Sequence, residues 1–119
     1  MDDQSYDSPL DAPCPCPPEM PLEELLELQG PQADERLAEL AKALAHPVRV
    51  GIVRFLAARD GCVCNQIVEQ FNLAQSTISQ HLKILKEAGL VRGTVDGPRV
   101  CYCLDRSVLT LLQSLTGRL

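Results

Sequence analysis

Long apolar runs are missing from this 119-residue sequence; none approaches the ~20 residues needed to cross a bilayer. The opening MDDQSYDSPLDAP also lacks the basic and apolar regions of a signal peptide. No membrane partner is therefore expected, and the cytoplasm is the expected compartment. Histidine is scarce, with only His46 and His81. A thiol-based enzyme needs an activated thiolate beside a placed base, and two histidines outside the cysteine pairs offer little towards one. No enzymatic activity is expected. The length leaves room for one domain of roughly 80 to 90 residues plus tails, which argues against a multi-domain catalyst.

Positive charge is scarce in one part of the chain and in excess in the rest. Residues 1–45 hold eleven acids against Arg36 and Lys42, a net −9, whereas residues 46–119 hold nine bases against five acids, a net +4. Only the second part is suited to face a polyanion.

Six cysteines are present, arranged as three C-x-C pairs at Cys14/Cys16, Cys62/Cys64 and Cys101/Cys103. In a reducing compartment such pairs point to metal or redox chemistry rather than to a disulfide framework. Small buried core residues are the plain alternative.

The first 31 residues are acidic and proline-rich and read as a flexible tail, within which PLEELLEL is compatible with a short helix. Residues 32–119 read as one domain. Leu37, Leu40, Ala41 and Leu44 recur at helical spacing and predict a helix from about Gln32 to Ala45. Pro47 breaks it and suits the first turn of a second helix, whose apolar face is Val48, Ile52, Phe55 and Leu56. Ile67, Val68 and Phe71 support a short helix of about Asn65 to Gln70. FNLA then turns the chain into a helix of about Gln75 to Ala88, with Ile78, Leu82 and Leu85 buried and Gly89 as its stop.

Two β-prone runs, LVRGTV and RVCYCL, flank DGP and predict a hairpin. Asp105 is placed to cap a last helix whose apolar stripe is Val108, Leu111, Leu112 and Leu115. So apolar a stripe suggests a second copy as partner, although packing on its own domain is the alternative. The expected fold is therefore mainly α with a small β-hairpin, a winged helix-turn-helix that forms a homodimer through its terminal helices.

That fold makes double-stranded operator DNA the expected partner. On the Gln75–Ala88 helix, 100° steps put Ser76, Ser79, Gln80 and Lys83 opposite the apolar stripe, with Thr77 at the margin and Gln75 at the start. Gln80 can read adenine, the hydroxyls suit phosphate or base edges, and Lys83 suits phosphate. His81 lies near the stripe and reads as a half-buried packing or phosphate-contacting residue. Arg92 and Arg99 bracket the hairpin, where a wing meets the DNA backbone or minor groove. The plain alternative for each is an ordinary solvated face, which the hairpin and the basic balance of the second part disfavour.

The segments LAHPVRVGIVRFLA, CVCNQIVEQFNLAQSTISQHLKILKEAGLV and DGPRVCYCLD together resemble the arsenic-responsive (ArsR/SmtB) repressors over about residues 35–117. The resemblance implies a homodimeric winged-helix repressor that leaves its operator when a soft metal or metalloid binds. It also implies that Ser76, Thr77, Ser79, Gln80 and His81 belong to the recognition helix and Cys62 and Cys64 to the inducer site. Two departures stand out. Ile67 occupies the place where many arsenic-sensing relatives carry a third cysteine, and the last helix lacks the Asp and His pattern of relatives that hold zinc at the dimer seam.

In a winged helix the short strand before the helix-turn-helix pairs with the second wing strand, here CVC with CYC. Residues i and i+2 of a strand share a face, so Cys62 and Cys64 project together, as do Cys101 and Cys103, with Val63 and Tyr102 facing the core. Cys14 and Cys16 are the competing source of ligands. An all-thiolate site selects soft ions, As(III)/Sb(III) with three sulfurs or Cd(II)/Pb(II) with three or four, and two thiols suffice for a methylated arsenical. No permanent cofactor is expected. A thiol redox switch and a structural zinc module are the rival readings.

Overall fold

The computed structural model describes Glu19, residues 21–59, Val63, residues 66–96 and residues 99–119, with the side chains of 95, 96 and 99 set aside. Among the described residues, six helices and one hairpin follow in the order α1 (Leu22–Leu26), α2 (Gly30–Ala43), α3 (Pro47–Ala57), α4 (Gln66–Phe71), α5 (Gln75–Glu87), β1 (Val91–Asp96), β2 (Arg99–Leu104) and α6 (Arg106–Gly117). This is the helical fold with a two-stranded wing that the sequence predicts.

Local chemistry sets the joints. Pro47 opens α3 behind His46, whose Nδ1 accepts the Val48 N–H at 3.1 Å. A Cβ on Gly51 would lie 2.8 Å from Cε1 of Phe71, so glycine at this position lets α4 seat closely on α3. Asn72, at φ 50°, makes the left-handed turn from α4 to α5, a conformation asparagine tolerates better than most residues. At the end of α5, Gly89 takes φ 89°. Its N–H bonds to Lys86 O at 3.0 Å, and that of Leu90 bonds to Leu85 O at 3.1 Å. That is the Schellman arrangement, and it satisfies two carbonyls the helix leaves over.

The core lies between the helices and the inner face of the hairpin. Leu40, Ile52, Leu56, Ile67, Ile78, Leu85, Leu90, Val108 and Leu111 are all fully buried in it. Two arginines tie elements across it through helix-end carbonyls. Arg36 donates to Ala88 O at 2.9 Å, and Arg106 donates to Ala57 O at 3.2 Å and to Arg59 O at 2.7 Å.

The described residues include some that precede the expected boundary at residue 31. Within the stretch read as a tail, α1 packs on α6 and buries Leu25. Glu19 accepts the Arg106 N–H at 2.9 Å, one of the N–H groups that the start of α6 leaves unpaired. Asp105 caps α6 as predicted, taking the Val108 N–H at 3.1 Å. Val108, Leu111 and Leu115 are buried within this single chain and Leu112 is half-buried. Much of the stripe that suggested a second copy is thus covered by the chain's own helices.

Candidate nucleic-acid interface and thiol site

The periodicity of α5 divides it cleanly. Ile78, Leu82 and Leu85 are buried, while Gln75, Ser76, Thr77, Ser79, Gln80 and Lys83 are all exposed. Its N-cap residue, Ala74, has no side-chain oxygen to cap the helix, which favours an anion at the first-turn N–H groups.

His81 is half-buried beside this face, its ring 4.6 Å from that of His46 and tilted by 48°. Arg49 Nη1 lies 3.2 Å from His81 Nδ1. Arginine has only donors, so Nδ1 accepts and the ring proton sits on Nε2. Burial lowers the His81 pKa below 6.5, and the neighbouring His46 and Arg49 add to the effect. The ring therefore stays neutral at physiological pH.

Arg49 is the residue that the helical count passed over. Its Nε donates to Ala43 O, the last carbonyl of α2, at 2.6 Å. Anchored there and at His81, it lines an open cleft of about 270 Å³ together with Ser76, Thr77, Gln80, His81 and Ile84. The sequence carried one signal for it, the HPVR step at 46–49. Its pairing with a residue thirty-two positions away carried none.

The wing arginines have different settings. Arg92 turns inward, its Nε 2.8 Å and its Nη2 2.7 Å from Oδ2 of Asp105, a residue with no exposed surface. The reason is local: the carboxylate that caps α6 has a second oxygen to satisfy, and a buried charge needs an opposite one. Arg99 stands in β2 opposite Asp96, and its side chain lies outside the described residues.

Within the hairpin the antiparallel register pairs Val91 with Leu104, Arg92 with Cys103, Gly93 with Tyr102 and Thr94 with Cys101. Cross-strand partners share a face. One face therefore carries Arg92, Thr94, Cys101 and Cys103, and the other carries Val91, Gly93, Tyr102 and Leu104. Val63 joins the outer side of β2 as an isolated antiparallel bridge to Tyr102, with reciprocal N–H to O bonds of 2.9 Å. Val63, Val91 and Leu104 are in the core and Tyr102 packs against it.

Cys101 and Cys103 are buried on the opposite face, at 0% and 6% exposure. Both sulfurs are in disulfide bonds, with partners outside the described residues. Cys14, Cys16, Cys62 and Cys64 also lie outside the described residues. Among the described residues no group of three or more His, Cys, Asp or Glu side chains is placed to hold a metal, and no helix is long and apolar enough to cross a membrane.

Comparison with known proteins matches this geometry. Residues 46–92, from the start of α3 to Arg92, match the model of the bacterial regulatory proteins of the arsR family. The chain is 42% identical over 93 residues to the HTH-type transcriptional repressor SmtB of Mycobacterium tuberculosis; the match covers 78% of this chain, and the chain spans 62% of that repressor's length. It is also 42% identical over 81 residues to an uncharacterised HTH-type transcriptional regulator of Methanocaldococcus jannaschii, covering 66% of this chain and 90% of that one. Among solved structures, a possible transcriptional regulator for arsenical resistance superposes with a TM-score of 0.60 at 36% identity, over 67% of this chain and 81% of that one. These relatives are regulators and not enzymes. The outward polar face of α5, the wing behind it and the extent of these matches together make the chain a member of the ArsR family of winged helix-turn-helix transcriptional regulators.

Proposed function

We propose that the protein is a DNA-binding repressor that leaves its operator when a soft, thiol-seeking ion, As(III) or Sb(III), binds to Cys62, Cys64, Cys101 and Cys103. Gln75, Ser76, Thr77, Ser79, Gln80, His81 and Lys83 meet the operator from α5, and Arg99 from the wing. Arg92 acts from inside, holding the wing on α6. The residues before α1 serve as an acidic tail.

The observation that carries the sensing half is the Val63 to Tyr102 bridge. Two residues that exchange both N–H to O bonds fix an antiparallel register. In the sequence, CVC and CYC put a cysteine on either side of each bridged residue. The next pairs along such a ladder are the closely spaced ones, with Cα atoms about 4.5 Å apart. The donor set fits a soft trivalent ion, because Cys101 and Cys103 are buried sulfurs and no histidine lies near them in sequence. When bound, the ion would supply a covalent tie between the CVC segment and the wing. That tie would shift α5 relative to the hairpin and spoil the fit to DNA.

A homodimer supplies two recognition helices to two half-sites. Leu26 on α1 and the C-terminal Leu119 are exposed, and Leu109 and Leu112 on α6 are half-buried. These make the outer faces of α1 and α6 the proposed seam. The arsenical-resistance description of a 36% identical structure favours arsenic over cadmium or lead.

A titration of the reduced protein on operator DNA with arsenite, antimonite, cadmium and zinc tests this. Arsenite and antimonite should release the parent protein and a Cys14→Ser variant, and should fail with Cys62→Ser and Cys101→Ser. Loss of response in Cys14→Ser but not in Cys101→Ser would move the site to the N-terminal pair. The second reading, a thiol redox switch, is favoured by the disulfide bonds of Cys101 and Cys103. It predicts release by an oxidant without any metal.

A further inference from the structure

We infer that the hydroxyl of Thr94 donates a hydrogen bond to the sulfur of Cys101 when that sulfur is a thiolate holding an ion, which makes Thr94 a positioning residue of the inducer site. This rests on the thiol reading above and adds a residue that neither the motif nor the family match points to.

Thr94 Oγ1 is buried and has no hydrogen-bond partner, alone in this among the side-chain N and O atoms of the described residues. Leaving a buried hydroxyl unbonded is costly, so such an atom calls for a reason. The register supplies one. Thr94 stands directly opposite Cys101, and side chains so paired begin about 5 Å apart at Cβ on the same face. Rotation about the two Cα–Cβ bonds, each side chain carrying one further atom, can bring oxygen and sulfur together.

The state of the sulfur explains why the hydroxyl is unpaired in this structure. A disulfide sulfur, as Cys101 has here, is uncharged and accepts poorly. A thiolate bound to an ion keeps negative charge, and bonds to charged acceptors are shorter and stronger than neutral ones. Thr94 thus lacks a partner in the oxidised form and gains one once a dithiol reductant, itself oxidised to its disulfide, has opened the bond and released the Cys101 thiolate. One row along, Arg92 faces Cys103 in register, but its Nε and Nη2 are turned onto Asp105. Thr94 is the polar neighbour whose donor is uncommitted.

The substitution Thr94→Val keeps the shape and the strand preference and removes the hydroxyl, while Thr94→Ser keeps the hydroxyl. With full-length, fully reduced protein, Cd(II) is the first probe, because its sulfur charge-transfer absorption reports the thiolate bond itself; arsenite is the second. Thr94→Val should hold Cd(II) about tenfold more weakly, as outer-shell changes do, and its absorption should move to lower energy. Thr94→Ser should stay near the parent, and operator affinity without metal should be equal in all three. The oxidised Thr94→Val protein should be no less stable than the parent, since its hydroxyl has no bond to lose there.

Parent-like Cd(II) affinity and band position in Thr94→Val would overturn the assignment while leaving the thiol site standing. A parent protein that binds neither probe through sulfur would overturn both. Should the valine variant fail to fold, a structure of the Cd(II)-loaded parent decides the matter, and Oγ1 beyond hydrogen-bonding reach of the Cys101 sulfur would sink it.

Discussion

Arg49 and Arg92 are the same residue type in two opposite settings. Arg49 is held at its Nε and one Nη by the end of α2 and by His81, and it lines a cleft with residues that carry hydroxyls and an amide. Arg92 is directed at a fully buried carboxylate and is part of the scaffold that joins the wing to α6. Around Arg49 every partner is neutral, so its charge is left for an outside anion. Around Arg92 the charge is cancelled from within. A count of basic residues therefore overstates what the wing offers to DNA and understates what the base of the recognition helix offers.

The largest effect that would sharpen this contrast is at Asp105. Asp105→Ala removes a cap and strands Arg92, and breaking such a buried pair costs about 3–5 kcal/mol. Urea unfolding should show that loss, and an unchanged midpoint would mean the pair is not structural. Next is Gln80→Ala. If Gln80 reads a base edge, operator affinity should drop by about 1–3 kcal/mol at one base pair, with discrimination relaxed only there. A uniform loss across sequences would reassign Gln80 to the backbone.

Smaller, and aimed at the comparison itself, is the pair Arg49→Gln and Arg92→Gln. The first should flatten the salt dependence of operator binding by about 0.9 per protomer and leave the fold near parent stability. The second should leave that slope alone and lower the unfolding midpoint. Exchange of the two outcomes would invert the assignment.

The smallest expected effect concerns pH. His81 has a folded pKa below its ordinary value, so the unfolded chain takes up its proton first. The contribution of the neutral ring is fully present above pH 6.5 and is lost as pH falls through the lowered folded value. His81→Gln should remove that segment of the stability profile, checked by unfolding at pH 5 and pH 7.

Much of this was legible in the sequence, for reasons of range. The stripe Ile78, Leu82, Leu85, the Asp105 cap, the Gly89 stop and the hairpin each follow from residues a few positions apart, where helix and strand periods govern. What escaped depends on distant pairings. Arg49 meets His81 across 32 positions, Arg106 meets Glu19 across 87, and Arg92 meets Asp105 across a strand reversal. The short helix α1 was legible as a helix, but not that Leu25 would dock on α6. The terminal stripe was legible as apolar, but not which part of the chain would cover it. For the thiol site, the spacing of the pairs and the alternation of faces were legible, while the polar row of Arg92 and Thr94 beside the cysteines needed the register.

The turn at Gly89 has a mechanical consequence. Leu90 is already bonded back to the helix and Val91 already belongs to the strand, so α5 and the ribbon meet like a crank and its arm with almost no play between them. A twist imposed on the ribbon has no slack loop in which to dissipate, and the helix must turn with it.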